Sequence, residues 1–123
     1  MSTVLVVDDD PAVCKSFSRL IRSMGAEADC VFGGLAALAY MANRMVNLIL
    51  LDYTMPDLDG LGVLARLRAD PRTRDLPVLM CTATPYDAVR HRALALGATG
   101  FLAKGDLDVE VLRPWVEPLL DRV

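Results

Sequence analysis

Residues 47–60 read N-L-I-L-L-D-Y-T-M-P-D-L-D-G, and this stretch decides the fold. Leu48 to Leu51 form an uninterrupted apolar run that stops abruptly on Asp52. A proline, two further acids and a glycine follow. An apolar run this short, bounded by turn signals, reads as a strand buried on both faces. Such strands belong to open parallel sheets, where ligands bind beyond the carboxyl ends. Asp52 therefore stands where chemistry is done in such folds. The bland alternative is a carboxylate that only shapes the following turn.

Working outward from that strand, the same pattern recurs. Thr3 to Val7 is a β-branched and aliphatic run, ending on Asp8, Asp9, Asp10 and Pro11. Asp10 before Pro11 is an N-cap followed by proline at the first helical position. Val13, Phe17, Leu20, Ile21 and Met24 then form one helical stripe, closed by Gly25. Ala26 to Val31 is a more polar strand, suited to a sheet edge. Gly33-Gly34 opens a second helix, in which Leu35, Leu38, Met41 and Met45 are expected to face the core. A third helix starts near Gly60, turns Leu61, Leu64 and Leu67 inward, and stops at Asp70-Pro71.

Pro77 to Cys81 gives a fourth strand, followed by Thr82. A helix over about Tyr86 to Leu96 ends at Gly97, and Thr99 to Ala103 is a short fifth strand ending on Lys104. The last helix runs from about Asp108 to the end, with Leu112, Trp115, Val116, Leu119 and Val123 at apolar positions. Alternating strands and helices predict an α/β fold, a parallel five-stranded sheet covered on both faces. The order 2-1-3-4-5 is favoured, with the first and third strands adjacent at the switch point.

The 123 residues suit one domain with a substantial core, expected to span 1–123. Hydrophobic residues make up 54%, and the mean hydropathy of +0.36 argues against disorder. The net charge of −3 and pI near 5.0 argue against a nucleic-acid surface. No apolar run approaches the ~20 residues that span a bilayer, and no leader pattern precedes the first strand. A cytoplasmic protein is expected. Cys14, Cys30 and Cys81 lack metal-ligand spacing and read as buried, reduced thiols.

In the favoured order the strand ends converge on one crevice. It receives Asp8 and Asp9, Asp52, Thr82 and Lys104. Carboxylates about 4 Å apart repel by about 1–4 kcal/mol per pair. One lysine cannot neutralise three acids, so a cation is implied. Oxygen donors without His or Cys suit a hard divalent ion, Mg²⁺ first and Mn²⁺ as an alternative. A carboxylate nucleophile, a metal site, a hydroxyl and a lysine make a phosphoryl-transfer set.

Four motifs in order now carry a resemblance: V-V-D-D-D-P at 6–11, L-L-D-Y-T-M-P-D-L-D-G at 50–60, V-L-M-C-T-A at 78–83 and G-A-T-G-F-L-A-K at 97–104. Over essentially its whole length the chain resembles a receiver domain of two-component response regulators, of the stand-alone type if these residues are the full protein; a domain cut from a longer protein would look the same. The resemblance implies a flavodoxin-like doubly wound (βα)5 fold. It implies that Asp52 accepts a phosphoryl group from a sensor histidine kinase or a histidine phosphotransfer protein. By the same resemblance Asp8, Asp9, Asp52 and the backbone carbonyl of Thr54 hold the metal. Thr82 is then the switch hydroxyl, Lys104 the charge partner of the phosphate, and Phe101 the switch aromatic. Output would pass through the fourth helix, fifth strand and fifth helix to an unnamed downstream protein, with no nucleic-acid or membrane partner. The chain would be a monomer or a weak phosphorylation-linked dimer. It would promote its own phosphorylation and dephosphorylation without being a turnover enzyme. No output domain follows the last helix within these residues.

Two departures from the family pattern stand out. Lys104 precedes Gly105 where the family usually has proline. A non-proline cis bond costs about 2.5–4 kcal/mol, so a trans bond or a looser loop is expected. Pro114 and Pro118 fall inside the last helix, which is expected to kink or start late. Other residues carry blander readings. His91, between Arg90 and Arg92, belongs to a solvated face. Met24, Met41, Met45 and Met80 are core filler. Asp57 and Asp59 shape their loop, and Thr84 and Tyr86 line the pocket mouth.

Three rivals compete. Asp8-x-Asp10 also opens haloacid-dehalogenase-like phosphatases, with Asp8 as nucleophile, Asp10 as acid–base, and Thr82 and Lys104 on the phosphate. That reading lacks a later acidic pair and leaves Asp52 idle. An FMN binder needs a Gly- and hydroxyl-rich phosphate loop where three acids stand. A binding-only pseudo-receiver would have no use for the intact acid set.

Overall fold

The computed structural model describes residues 2–83 and 87–120. Its strands are β1 (Thr3–Val7), β2 (Glu27–Val31), β3 (Leu48–Asp52), β4 (Val78–Thr82) and β5 (Gly100–Ala103). Its helices are α1 (Pro11–Ser23), α2 (Gly34–Asn43), α3 (Gly60–Ala69), α4 (Asp87–Ala95) and α5 (Val109–Val116), with single 3₁₀ turns at Lys104–Asp106 and Glu117–Leu119. All strand pairs are parallel, in the order β2-β1-β3-β4-β5. The expected order and element sequence hold.

Alternation along the buried strands splits the core in two. Leu5, Val7, Ile49, Leu51, Val78 and Met80 pack with Ala37, Met41, Leu61, Leu64, Leu67 and Ala93 from α2, α3 and α4. Val4, Val6, Leu48, Leu50, Leu79 and Cys81 pack with Cys14, Phe17, Ile21, Leu112 and Val116 from α1 and α5. β3 and β4 are buried at every position, as their continuous apolar sequence requires. Each fully buried aliphatic side chain contributes about 1.5–3 kcal/mol.

The helix ends follow local chemistry. Asp10 caps α1 by accepting from Ala12 N–H at 2.9 Å, with Pro11 inside the first turn. Gly25 and Gly97 take φ of +96° and +101° just past their helices, a conformation glycine adopts without strain. α5 starts at Val109 under an Asp108 cap and stops at Val116. Pro114 lies within it, and Pro118 falls in the following 3₁₀ turn, so the helix is shortened rather than started late. The Ser2 hydroxyl donates to the Leu119 carbonyl, joining the start of the sheet to the turn after α5.

Several expectations need correction. Leu35 and Met45 are 58% and 56% exposed, not in the core. The α2 seam is Gly34, Ala37 and Met41, and Met45 lies beyond the helix, past the extended Arg44. Cys30 is only half-buried, because β2 is the sheet edge; Cys14 and Cys81 are buried, and all three thiols are free. Met41 and Met80 are core residues and Met24 packs at its margin, while His91 is exposed. Tyr86, Thr84 and Val123 lie outside the described residues. Among the described residues no helix is long and apolar enough to cross a membrane.

Candidate functional site

The register of β1, β3 and β4 fixes where the acids stand. Val7 pairs with Leu51, so Asp8 and Asp52 leave neighbouring strands at the same level. Asp8 is 1% exposed and Asp52 5%. Asp8 is held from several sides. Its N–H donates to Val31 O at 3.2 Å, and its Oδ1 accepts from Asp10 N–H at 2.9 Å. Its backbone carbonyl faces Cys14 Sγ at 3.6 Å. The D-D-D-P run thus divides its labour: Asp8 points inward, Asp9 is exposed, and Asp10 caps α1.

One oxygen each from Asp8, Asp9 and Asp52 lies within 4.8 Å of the others. At that separation each pair repels by about 1–3.5 kcal/mol between bulk-water and surface-like dielectrics. Lys104, first residue of the turn after β5, partly offsets this. Its Nζ sits 2.5 Å from Asp8 Oδ2 and 3.1 Å from Asp52 Oδ1. Its link to Gly105 is trans, the first of the two expected outcomes, and the lysine still reaches the acids.

Electrostatics in the pocket are unbalanced. Burial, then the Asp8 carboxylate, push the Asp52 carboxyl above its ordinary value, and Lys104 offsets only part of this. Burial alone would lower the Lys104 ammonium, but its contacts with Asp8 and Asp52 raise it. Three carboxylates against one ammonium leave a deficit of two positive charges. Asp8 Oδ2 is buried and has the ion pair but no hydrogen bond of good geometry. An under-satisfied carboxylate oxygen among all-oxygen donors, with two charges to balance, fits a hard divalent cation.

The remaining predicted residues surround this centre. Thr82 ends β4, 1% exposed, one step past the Asp52–Cys81 pair. Phe101 lies in β5 opposite Met80, half-buried against the α2–α4 side of the core. Thr54 is exposed, two residues past Asp52. The loop carrying Thr54 is tied at both ends. Gly60 N–H donates to Tyr53 O at 2.8 Å, and Asp59 caps α3 through Gly62 N–H at 2.8 Å. Sequence reasoning gave Asp57 a loop-shaping role but missed its partner. Asp57 accepts from Gly34 N–H at 3.2 Å and Leu35 N–H at 2.9 Å, across 23 and 22 residues. The adjacent Gly33-Gly34 pair was the available signal. The Asp10 carboxylate is engaged in its cap, and the acid cluster among the described residues is the one built around Asp52.

Comparison with known proteins agrees with this architecture. The family model described as the response regulator receiver domain matches residues 4–114. The DNA-binding dual master transcriptional regulator RpaA of Synechocystis is 35% identical over 122 residues, which cover 99% of this chain and 50% of that protein. A putative response regulator from Chloroflexus aurantiacus superposes with a TM-score of 0.88 at 30% identity, covering 98% of each chain. Chemotaxis protein CheY4 of Vibrio cholerae gives 0.87 at 28% identity, covering 98% of this chain and 99% of that one. The chain spans about half the length, or less, of the curated relatives it matches.

Proposed function

This chain belongs to the response regulator receiver domain family, and we propose that it is a phosphorylation-switched signalling module with Asp52 as phosphoacceptor. The observation that carries the reading is the gathering of Asp8, Asp9 and Asp52 within 4.8 Å, with Lys104 between Asp8 and Asp52. The donor is a phosphohistidine of a sensor kinase or phosphotransfer protein. An Asp52 oxygen attacks phosphorus, the O–P bond forms, the P–N bond breaks, and the imidazole leaves with a proton from solvent. Asp8, Asp9, Asp52 and the Thr54 carbonyl would hold Mg²⁺, or Mn²⁺ in its place. That ion supplies positive charge for the acids and for the equatorial phosphoryl oxygens.

The chain's own groups do the rest. Lys104 is placed to pass from the carboxylates to a phosphoryl oxygen, a charge-assisted contact. The Thr82 hydroxyl donates to another oxygen, and Phe101 takes up the space this movement releases. The surface of α4, β5 and α5 changes in consequence; Leu94 of α4 is 42% exposed. A coupling of about 1–3 kcal/mol biases a downstream protein toward one state. The module works in the cytoplasm as a monomer or weak phosphorylation-linked dimer. It promotes gain and loss of its own phosphoryl group and turns over no external substrate. The phosphatase reading on Asp8 is disfavoured, because Asp10 is committed to capping α1.

The test is intact-protein mass after incubation with acetyl phosphate, with and without Mg²⁺, for the wild type, Asp52→Ala and Asp8→Ala. The expected result is one phosphoryl group, dependent on Mg²⁺ and absent in Asp52→Ala. A gain that survives Asp52→Ala but not Asp8→Ala would move the nucleophile to β1 and overturn the assignment.

A further inference from the structure

The N-terminus of α2 has no cap of its own. Gly33 stands at the N-cap without a side chain, and no side-chain hydrogen bond comes from it. The cap is supplied instead by Asp57, whose two oxygens take the N–H groups of Gly34 and Leu35. Asp57 lies five residues after Asp52, in the loop that bears Thr54. Backbone amides hold its carboxyl below the usual range, Leu35 N–H first and Leu58 N–H second, with Gly34 N–H contributing less.

The fit between loop and helix is close. A Cβ at Gly33 would meet Asp57 Oδ2 at 3.0 Å, and one at Gly34 would meet the Leu58 carbonyl oxygen at 2.4 Å. The Gly33-Gly34 pair is therefore the space that lets the loop lie against α2. At its other end the loop is pinned by Gly60 on Tyr53 and by Asp59 on α3.

We infer that Asp57, seated on the α2 amides opened by Gly33-Gly34, is a positioning residue that holds the Thr54 segment in register with Asp8, Asp9 and Asp52. The inference rests on the cation reading of that cluster. It adds a physical link from the site to α2, an element that contributes no side chain to the cluster. Groups that orient a ligand set commonly change metal affinity by about 10–100-fold when removed.

Two measurements test it together: Mn²⁺ affinity by calorimetry, and amide hydrogen exchange. The variants are Asp57→Ala, Asp57→Asn, Gly33→Ala and, as a distant cap control, Asp70→Ala. Asp70 accepts from Arg72 N–H at 2.9 Å, past the opposite end of α3. Asp57→Ala should weaken Mn²⁺ by about tenfold and speed exchange at 53–55 as well as at Gly34 and Leu35. Gly33→Ala, pressing on the same contact from the helix side, should do the same. Asp57→Asn, which keeps one acceptor oxygen, should fall between, and Asp70→Ala should change neither readout. Faster exchange confined to Gly34 and Leu35, with Mn²⁺ affinity and 53–55 unchanged, would reduce Asp57 to a helix cap and overturn the inference. If the wild type binds no Mn²⁺, the cation reading fails, and exchange at 53–55 alone decides whether Asp57 positions the loop.

Discussion

The segments after β3 and after β5 both serve the acid cluster, and they are built in opposite ways. The first is fixed along its backbone. Tyr53, Asp57 and Asp59 are each tied, and a Cβ at Gly60 would sit 2.3 Å from the Asp52 carbonyl oxygen. The second is sparse. Leu107 N–H reaches Lys104 O at 3.2 Å, and a Cβ at Gly105 would meet nothing within 4 Å. On the proposed cation reading, the difference follows from what each would deliver. A backbone carbonyl such as that of Thr54 has no reach of its own, so its chain must be placed. A lysine carries its charge on a long stem, and two carboxylates at the tip do the placing.

Four substitutions would break or sharpen this contrast. Lys104→Met removes the charge that the open segment delivers and leaves Asp8 and Asp52 facing each other. Breaking a buried pair on one side costs about 3–5 kcal/mol, read as lost stability to urea at neutral pH without divalent cation. Because contacts with the acids raise the Lys104 pKa, its contribution is full below the ordinary lysine value and fades as pH rises through the raised one. A wild-type-like midpoint for Lys104→Met would mean that the ammonium stabilises nothing at rest. Gly60→Ala attacks the tight segment, and overpacking against backbone should cost about 1–3 kcal/mol and reduce phosphoryl uptake. An unchanged melting temperature and uptake would show that the close approach has slack.

Asp52→Asn tests the imbalance that both segments leave. Removing one of the mutually repelling carboxylates should stabilise the cation-free protein by about 1 kcal/mol. The sign with pH follows from the raised Asp52 pKa. The contribution is full below the unfolded carboxyl value and is lost as pH rises through the higher folded one. Wild-type stability should therefore fall across that interval without Mg²⁺, hold with Mg²⁺, and stay flat there in Asp52→Asn. Parallel curves for the two proteins would remove Asp52 as the source. Gly105→Ala is the smallest expected effect, within about 0.5 kcal/mol, since its new methyl meets open space. A large loss in urea unfolding would show that the second segment is more constrained than its contacts imply.

Sequence showed the strands well because burial on both faces leaves no polar positions in Leu48–Leu51 or Val78–Cys81. Alternation gave a parallel sheet but did not fix strand order; 2-1-3-4-5 was favoured as a common doubly wound arrangement, and the convergence of Asp8, Asp9, Asp52 and Lys104 followed from that order. Legibility failed where neighbours rather than period decide. α2 is rich in alanine, so its phase is weakly written, and Leu35 sits exposed beside the amides that Asp57 takes. Met45 continues a helical spacing after the helix has ended. The Asp57 contact spans 23 residues, and no local pattern encodes such a distance. The reach of Lys104 past a glycine was equally hidden, because the acids that anchor it come from other strands.

The hydrogen bond from Ser2 to Leu119 has a consequence for portability. Residues at opposite ends of the described chain are neighbours at the amino ends of the strands, away from the acids. A module that is entered and left at one corner can be set inside a longer polypeptide without stretching a linker across it. A short link between those two segments, with a new opening elsewhere, would leave all four strand pairings and the acid cluster in place.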